Sequence, residues 1–232
     1  MYILEGNIGT GKTTFLSLLA KKLPTVNVIL EPLDSWHSQE NGQSLLGNFY
    51  SEPKRWAYTL ETLTMISRVK GHLTDQQRTA DNFILERSIY SGHYCFALNG
   101  YETGFMSSIE WEIYNQWFTF LVTGKCQPPH GFIYLKTKPE VAYERIKKRS
   151  RNGESTIPFE YIQQIDQRHD DFLIHKKNIL ADIQDIPVLV LDGNPEFEQE
   201  NGVIEQHTEK IAAFIGQTRA SSKQASREKR IF

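Results

Sequence analysis

The chain has 232 residues, 39% of them hydrophobic, and a formal net charge of −2, so one α/β domain with a sizeable core is the default expectation and the footprint of a long nucleic-acid binder is excluded. Cys95 and Cys126 are too few for a disulfide framework or a metal cluster. No signal-peptide pattern and no apolar run of roughly 18 residues occurs, and Met1 leads directly into an apolar stretch, so a soluble cytoplasmic protein with a small-molecule acceptor and no membrane partner is expected.

The first strand candidate, 2–4, runs into EGNIGTGKTT at 5–14. Gly6, Gly11, Lys12 and Thr13 fit the phosphate-loop spacing, with an apolar strand before them and the helical TTFLSLLAKKL after. Glycines let successive backbone N–H groups turn inward on a phosphate at the positive end of the helix. The expected nucleoside-triphosphate contacts are therefore Gly6, Asn7, Ile8, Gly9, Thr10, Gly11, Lys12, Thr13 and Thr14. Lys12 would reach the β- and γ-phosphates, and the Thr13 hydroxyl is left for Mg²⁺.

Further apolar runs at 26–30, 82–85, 131–135 and 187–191 are strand candidates, and 53–73, 107–123, 138–149 and 158–180 carry helical periodicity. The stretch at 40–53 reads as loop with a short helix. Strands alternating with helices predict a parallel sheet, whose ligands sit beyond the strands' carboxyl ends. Glu31 ends the second strand and Glu86, followed by Arg87, ends the third. Glu86 is placed to hold Mg²⁺ through water, with Asp192 as a rival, and Glu31 to take a proton from an attacking hydroxyl. Either acid could instead cap a helix. Arg145, Arg149 and Arg151, in ERIKKRSRNGES at 144–155, suit a lid that brings cations to transferring phosphates; a solvated basic helix end is the alternative. From 217 to 232 apolar residues thin out, so a domain over 1–216 and a solvated basic tail are expected.

The motifs GNIGTGKTT, EPLDSW, FYSEPKRWAYTLETLTMISR, ERSIYSGHYCF, IEWEIYNQW and YLKTKPEVAYERIKKRSRNGESTIPFEYI follow one another in this order. Together they make the chain, from about residue 2 to 215, resemble the deoxynucleoside kinases of the deoxycytidine, deoxyguanosine and mitochondrial thymidine kinase type. The resemblance implies a P-loop kinase fold, a five-stranded parallel sheet flanked by helices with an arginine-rich lid. It also implies ATP and Mg²⁺ as donor and metal, a deoxynucleoside 5′-hydroxyl as acceptor, and a homodimer packed through 53–73 and 107–123. By the same resemblance Glu31 is the general base with Arg87 beside it, and Tyr50 and Glu154 hold the sugar 3′-hydroxyl. Trp36 and Phe96 line the base pocket, Leu60 is a further substrate contact, and the donor adenine lies near DGNPEF. The family's two adjacent lid acids are Gly153 and Glu154 here, which bears on lid stiffness. A nucleoside-monophosphate kinase of the thymidylate kinase type would want a cation where Glu31 offers an anion. A nucleotide-binding switch protein of the GTPase class would need an N-K-x-D motif, which the sequence lacks.

The largest departure from the family is Glu61, where relatives place a glutamine. An ionised carboxylate only accepts hydrogen bonds, and guanine is the base with two adjacent donors on its pairing edge. Arg68, seven residues on, lies on the same helical face and could donate to guanine O6, while Gly92 leaves room for a purine. Deoxyguanosine is then the expected acceptor, ahead of deoxyadenosine, deoxycytidine and thymidine. Two alternatives stay open: Glu61 pairs with Arg68, or Glu61 is protonated and mimics the glutamine.

Overall fold

The apolar runs assemble into one all-parallel sheet among the residues that the computed structural model describes, which are 1–31, 44–78, 82–149, 156–198 and 202–228, with backbone alone from 221. Its strands are β1 (Tyr2–Glu5), β2 (Asn27–Ile29), β3 (Phe83–Glu86), β4 (Gly131–Lys136) and β5 (Val188–Asp192), in the order β2-β3-β1-β4-β5. Each starts and ends within one residue of its apolar run. β1 and β3 are buried at every position, as expected of strands covered on both faces.

Strand periodicity divides the core. Tyr2 and Leu4 face one side with Phe15, Leu16, Leu19 and Ile84, while Ile3 faces the other with Leu60, Met65, Tyr90 and Phe172. The first side is covered by α1 (Lys12–Lys22) and, at the far end of the chain, by a long helix over Val203–Glu228. The second is covered by α2 (Leu45–Ser51), α3 (Pro53–Asp75), α4 (Ile89–Ser91), a π-helical turn (Gly92–Ala97), α5 (Leu98–Glu102) and α6 (Ser108–Val122). Proline at the start of α3 and a reciprocal Ser107–Glu110 capping box before α6 fix where those helices begin. α7 (Pro139–Arg149), α8 (Phe159–Leu173), α9 (Ala181–Gln184) and the long terminal helix, α10, complete the order. None of the described helices is long and apolar enough to cross a membrane.

Three elements differ from the sequence reading. The helix expected over 158–180 stops at Leu173, and Lys176 and Asn178 take left-handed backbone at φ 52° and 51°. The helical segment 89–102 was not anticipated. α10 runs through residues read as a solvated tail, to Glu228: Ile204, Ile211 and Ile215 are buried, and the Tyr2 hydroxyl lies 2.7 Å from Thr218 Oγ1. The sequence reading placed no helix over 203–216, where its apolar stripe lies, and the polar residues after 216 continue that helix.

Candidate functional site

β1 and β3 are neighbours in the sheet, and the connections that leave their carboxyl ends run in opposite directions, from β1 to β2 and from β3 to β4, which opens a crevice there. The phosphate loop fills one side. Gly9 has φ 79°, and a Cβ on it would sit 2.3 Å from the Ala142 carbonyl, so the loop's approach to α7 admits only glycine. Asn7 Nδ2 donates to the Ile162 carbonyl at 2.8 Å, tying the loop to α8. Thr10 Oγ1 donates to the Asn7 carbonyl. Lys12 Nζ folds onto the carbonyls of Gly6 and Asn7, at 3.1 and 2.7 Å. Burial, with Arg87 adding repulsion, pulls its ammonium down to about 7 against the pull of Glu86, Glu31 and Glu5. The Thr13 hydroxyl donates to Glu86 Oε1 at 2.8 Å. Asp192, the rival acid, instead accepts from the backbone and side chain of Asn194.

A cavity of about 320 Å³ leads away from Ile8, Gly9, Gly11, Lys12, Thr13 and Thr14. On the far side of the crevice lies Glu31, its side chain buried between two arginines. Arg68 donates Nε and Nη2 to Oε1 at 3.2 and 2.6 Å; Arg87 Nε approaches Oε2 at 3.5 Å. The Arg87 guanidinium also lies over the Phe96 ring, 4.8 Å from its centroid. Beyond Glu31 the wall is apolar, with Leu46, Phe49, Leu60, Phe96 and Tyr161. Tyr50, Glu61 and Thr64 supply polar groups there. Glu61 is buried, and that burial raises its carboxyl to about 7 although Arg68 and the Thr64 hydroxyl pull the other way.

The structure thus brings together the phosphate loop, Glu31, Tyr50, Leu60, Glu61, Arg68, Glu86, Arg87, Phe96 and Arg149 on one cavity. Three expectations need correction. The space at Gly92 is not left for a purine: a Cβ there would lie 2.6 Å from Arg68 Nη1, so the glycine admits the guanidinium. Arg68, expected at guanine O6, places Nε and Nη2 on Glu31, because the tip of β2 reaches it from across the crevice. Arg145 is held away from the cavity. Its Nη1 donates to the Gly193 carbonyl at 2.7 Å, and Nη2 donates to those of Asn194 and Pro195, each at 2.8 Å. Nη1 also reaches the Thr10 carbonyl at 3.4 Å, and the guanidinium faces the Phe197 ring. Trp36, Arg151 and Glu154 lie outside the described residues.

The sequence reading missed Leu46, Phe49, Thr64 and Tyr161. Thr64 sits one helical turn after Leu60 and Glu61, so the face assigned to those two already pointed to it. Glu5, directly before the phosphate loop, is fully buried and accepts from the Ser88 hydroxyl at 2.5 Å; nothing in its spacing distinguished it.

A family model described as deoxynucleoside kinase matches residues 2–216. Human deoxycytidine kinase (Homo sapiens) is 33% identical over 235 residues, spanning 91% of this chain and 89% of that protein. Deoxycytidine kinase 2 of Gallus gallus is 34% identical over 236 residues, with 91% and 89% covered. The mitochondrial deoxyguanosine kinase of Xenopus laevis is 31% identical over 235 residues, with 91% and 88% covered.

Proposed function

The chain belongs to the deoxynucleoside kinase family, and from that premise we propose that it transfers the γ-phosphoryl group of ATP to the 5′-hydroxyl of a deoxynucleoside. The observation that carries this reading is the continuity of one cavity from Gly11, Lys12 and Thr13, past Glu31, to the wall of Leu60, Phe96 and Tyr161. Glu31 takes the proton of the 5′-hydroxyl as its oxygen forms the new bond to phosphorus, and the bond from phosphorus to the bridging oxygen breaks to leave ADP. Arg87 and Arg68 hold that carboxylate in place. Lys12 and Arg149 bring positive charge to the phosphates, and a triphosphate beside Lys12 favours its charged form. Arg145 acts at one remove by joining the phosphate loop to residues 193–196, beside which the adenine is proposed to lie. Tyr50 suits the sugar hydroxyl.

The Thr13 hydroxyl and Glu86 carboxylate are oxygen donors of the kind Mg²⁺ takes, and they meet at the edge of the loop. They would hold the ion directly or through water, and it would supply positive charge to the phosphates.

For the base we propose guanine. An ionised Glu61 accepts from N1–H and the 2-amino group together, whereas cytosine, adenine and thymine each present it a repelling acceptor. Leu63 and Ile66 on α3 and Ile109, Trp117 and Phe120 on α6 are exposed apolar groups, and we propose that a second copy of the chain covers them.

The experiment is a panel of four deoxynucleosides with ATP, following ADP and the monophosphate. Turnover with the highest kcat/KM on deoxyguanosine is expected. No turnover on any of the four would overturn the kinase reading, and deoxycytidine or thymidine ahead of deoxyguanosine would overturn the base assignment alone. Sedimentation tests the dimer: Trp117→Glu is expected to leave a monomer.

A further inference from the structure

Arg87 has φ 63°, the left-handed region that a residue with a long side chain adopts only when its surroundings hold it there. One constraint is visible in the backbone, where Arg87 N–H donates to the Leu4 carbonyl at 2.9 Å and docks the turn after β3 onto β1. The other comes from the next residue. Ser88 Oγ accepts from the N–H groups of Tyr90 and Ser91, each at 3.1 Å, and so caps the helix that follows. A hydroxyl has one proton to give and two lone pairs to receive. With both lone pairs spent on the cap, its proton goes to Glu5 Oε1.

Glu5 is 0% exposed, and its other oxygen, Oε2, has no hydrogen-bond partner among the described residues. It does not line the cavity that the phosphate loop and Glu31 share. A buried acid with one oxygen unpartnered among the described residues costs stability, which packing alone does not explain. We propose that Glu5 is a positioning residue for phosphoryl transfer: through Ser88 it fixes the left-handed turn that aims Arg87 at Glu31. The inference rests on the kinase reading above, because the geometry it protects is that of the reacting centre.

The test compares Glu5→Leu, Glu5→Gln and Ser88→Ala in the full chain. Displacing a reacting group by roughly an ångström costs on the order of 10²-fold in rate, so Glu5→Leu and Ser88→Ala are expected to lower kcat by about that factor while KM for ATP stays within about twofold. Glu5→Gln keeps an oxygen acceptor for Ser88 and is expected to restore most of kcat. The double variant Glu5→Leu/Ser88→Ala is expected to be no worse than either single one, since both break one chain of contacts. Amide exchange at Tyr90 and Ser91 is expected to rise in Glu5→Leu. Full kcat in Ser88→Ala, where little volume changes, would overturn the proposal. So would a rise in KM for ATP that accounts for the whole loss, since the damage would then lie in the phosphate loop. An unmodified chain inactive on every deoxynucleoside overturns the kinase reading and this inference with it.

Discussion

Arg68 places two nitrogens on a single oxygen of Glu31, at 3.2 and 2.6 Å, although Arg68 is on α3 and Glu31 follows β2, 37 positions away. The other oxygen faces Arg87 at 3.5 Å. A carboxylate held from both sides has its orientation set by the protein alone, which under the proposed mechanism is before any acceptor arrives. Such pre-organisation is where positioning gains its rate effect.

Replacing that carboxylate by an amide tests its role. Glu31→Gln keeps the shape but cannot take a proton, and general-base contributions are typically about 10² to 10⁴ in rate. We expect a loss of kcat in that range with ATP binding retained, measured by steady-state kinetics and by ATP titration. Turnover near that of the unmodified chain would remove Glu31 from the mechanism.

Gly92 bears on the same pair. A methyl group on it would fall 2.6 Å from Arg68 Nη1, and the flexible end of the arginine would yield before the backbone does. Gly92→Ala is therefore expected to cost little stability, about 1 kcal/mol or less, while lowering kcat by about tenfold as Arg68 shifts on Glu31. Thermal unfolding and kinetics on one preparation separate the two. An unchanged kcat would mean that the placement of Arg68 is not critical.

Much of this site is legible in the sequence because its signals are local. The phosphate loop is a fixed spacing between a strand and a helix, and Glu31 and Glu86 follow from the ends of apolar runs. Partner choice is not local. Arg68 lies two helical turns from Glu61, which makes them natural neighbours in sequence, yet the tip of β2 delivers Glu31 to the same guanidinium. Arg145 and Arg149 are one turn apart on α7, but the carbonyls of 193–195 capture the first and the second lines the cavity. Ile204, Ile211 and Ile215 of α10 recur at helical spacing, which the sequence reading overlooked, and their burial depends on the sheet face they cover.

The capture of Arg145 has a kinetic consequence. Its guanidinium holds three carbonyls of one segment and reaches the Thr10 carbonyl, with hydrogen bonds from a charged donor worth about 1.5–3 kcal/mol each. Arg145→Ala is expected to raise KM for ATP by about tenfold while KM for the deoxynucleoside stays put. A fall in kcat with both KM values unchanged would instead assign Arg145 to the transition state, the role its sequence position suggested.

The last prediction concerns the protonation of Glu61. Burial raises this carboxyl from an ordinary 4.5 to about 7, so near neutrality the folded chain carries both forms. The groups that act on it are Arg68 and Thr64 on its own helix, Glu31 after β2 and Arg87 after β3; Tyr114 on α6 and Tyr161 on α8 also lie within its reach. The folded value lies above the unfolded one, so the folded state binds the extra proton between about pH 4.5 and 7, and stability falls as pH rises through that window. The penalty is fully present above about 7 and absent below about 4.5. Glu61→Gln removes the titration, so its stability relative to the unmodified chain is expected to grow over the same window, checked by denaturant unfolding. Base choice should follow the same proton. The ionised carboxylate offers only acceptors, which suits guanine, whereas the protonated acid pairs a donor with an acceptor, which suits cytosine or adenine. The ratio of kcat/KM for deoxyguanosine to that for deoxycytidine is therefore expected to climb between about pH 6 and 8, and to be flat and lower in Glu61→Gln. Taking a ratio cancels pH effects on ATP and on Glu31, which both acceptors share. A ratio that stays level in the unmodified chain while both deoxynucleosides turn over would show that Glu61 does not read the base by its charge.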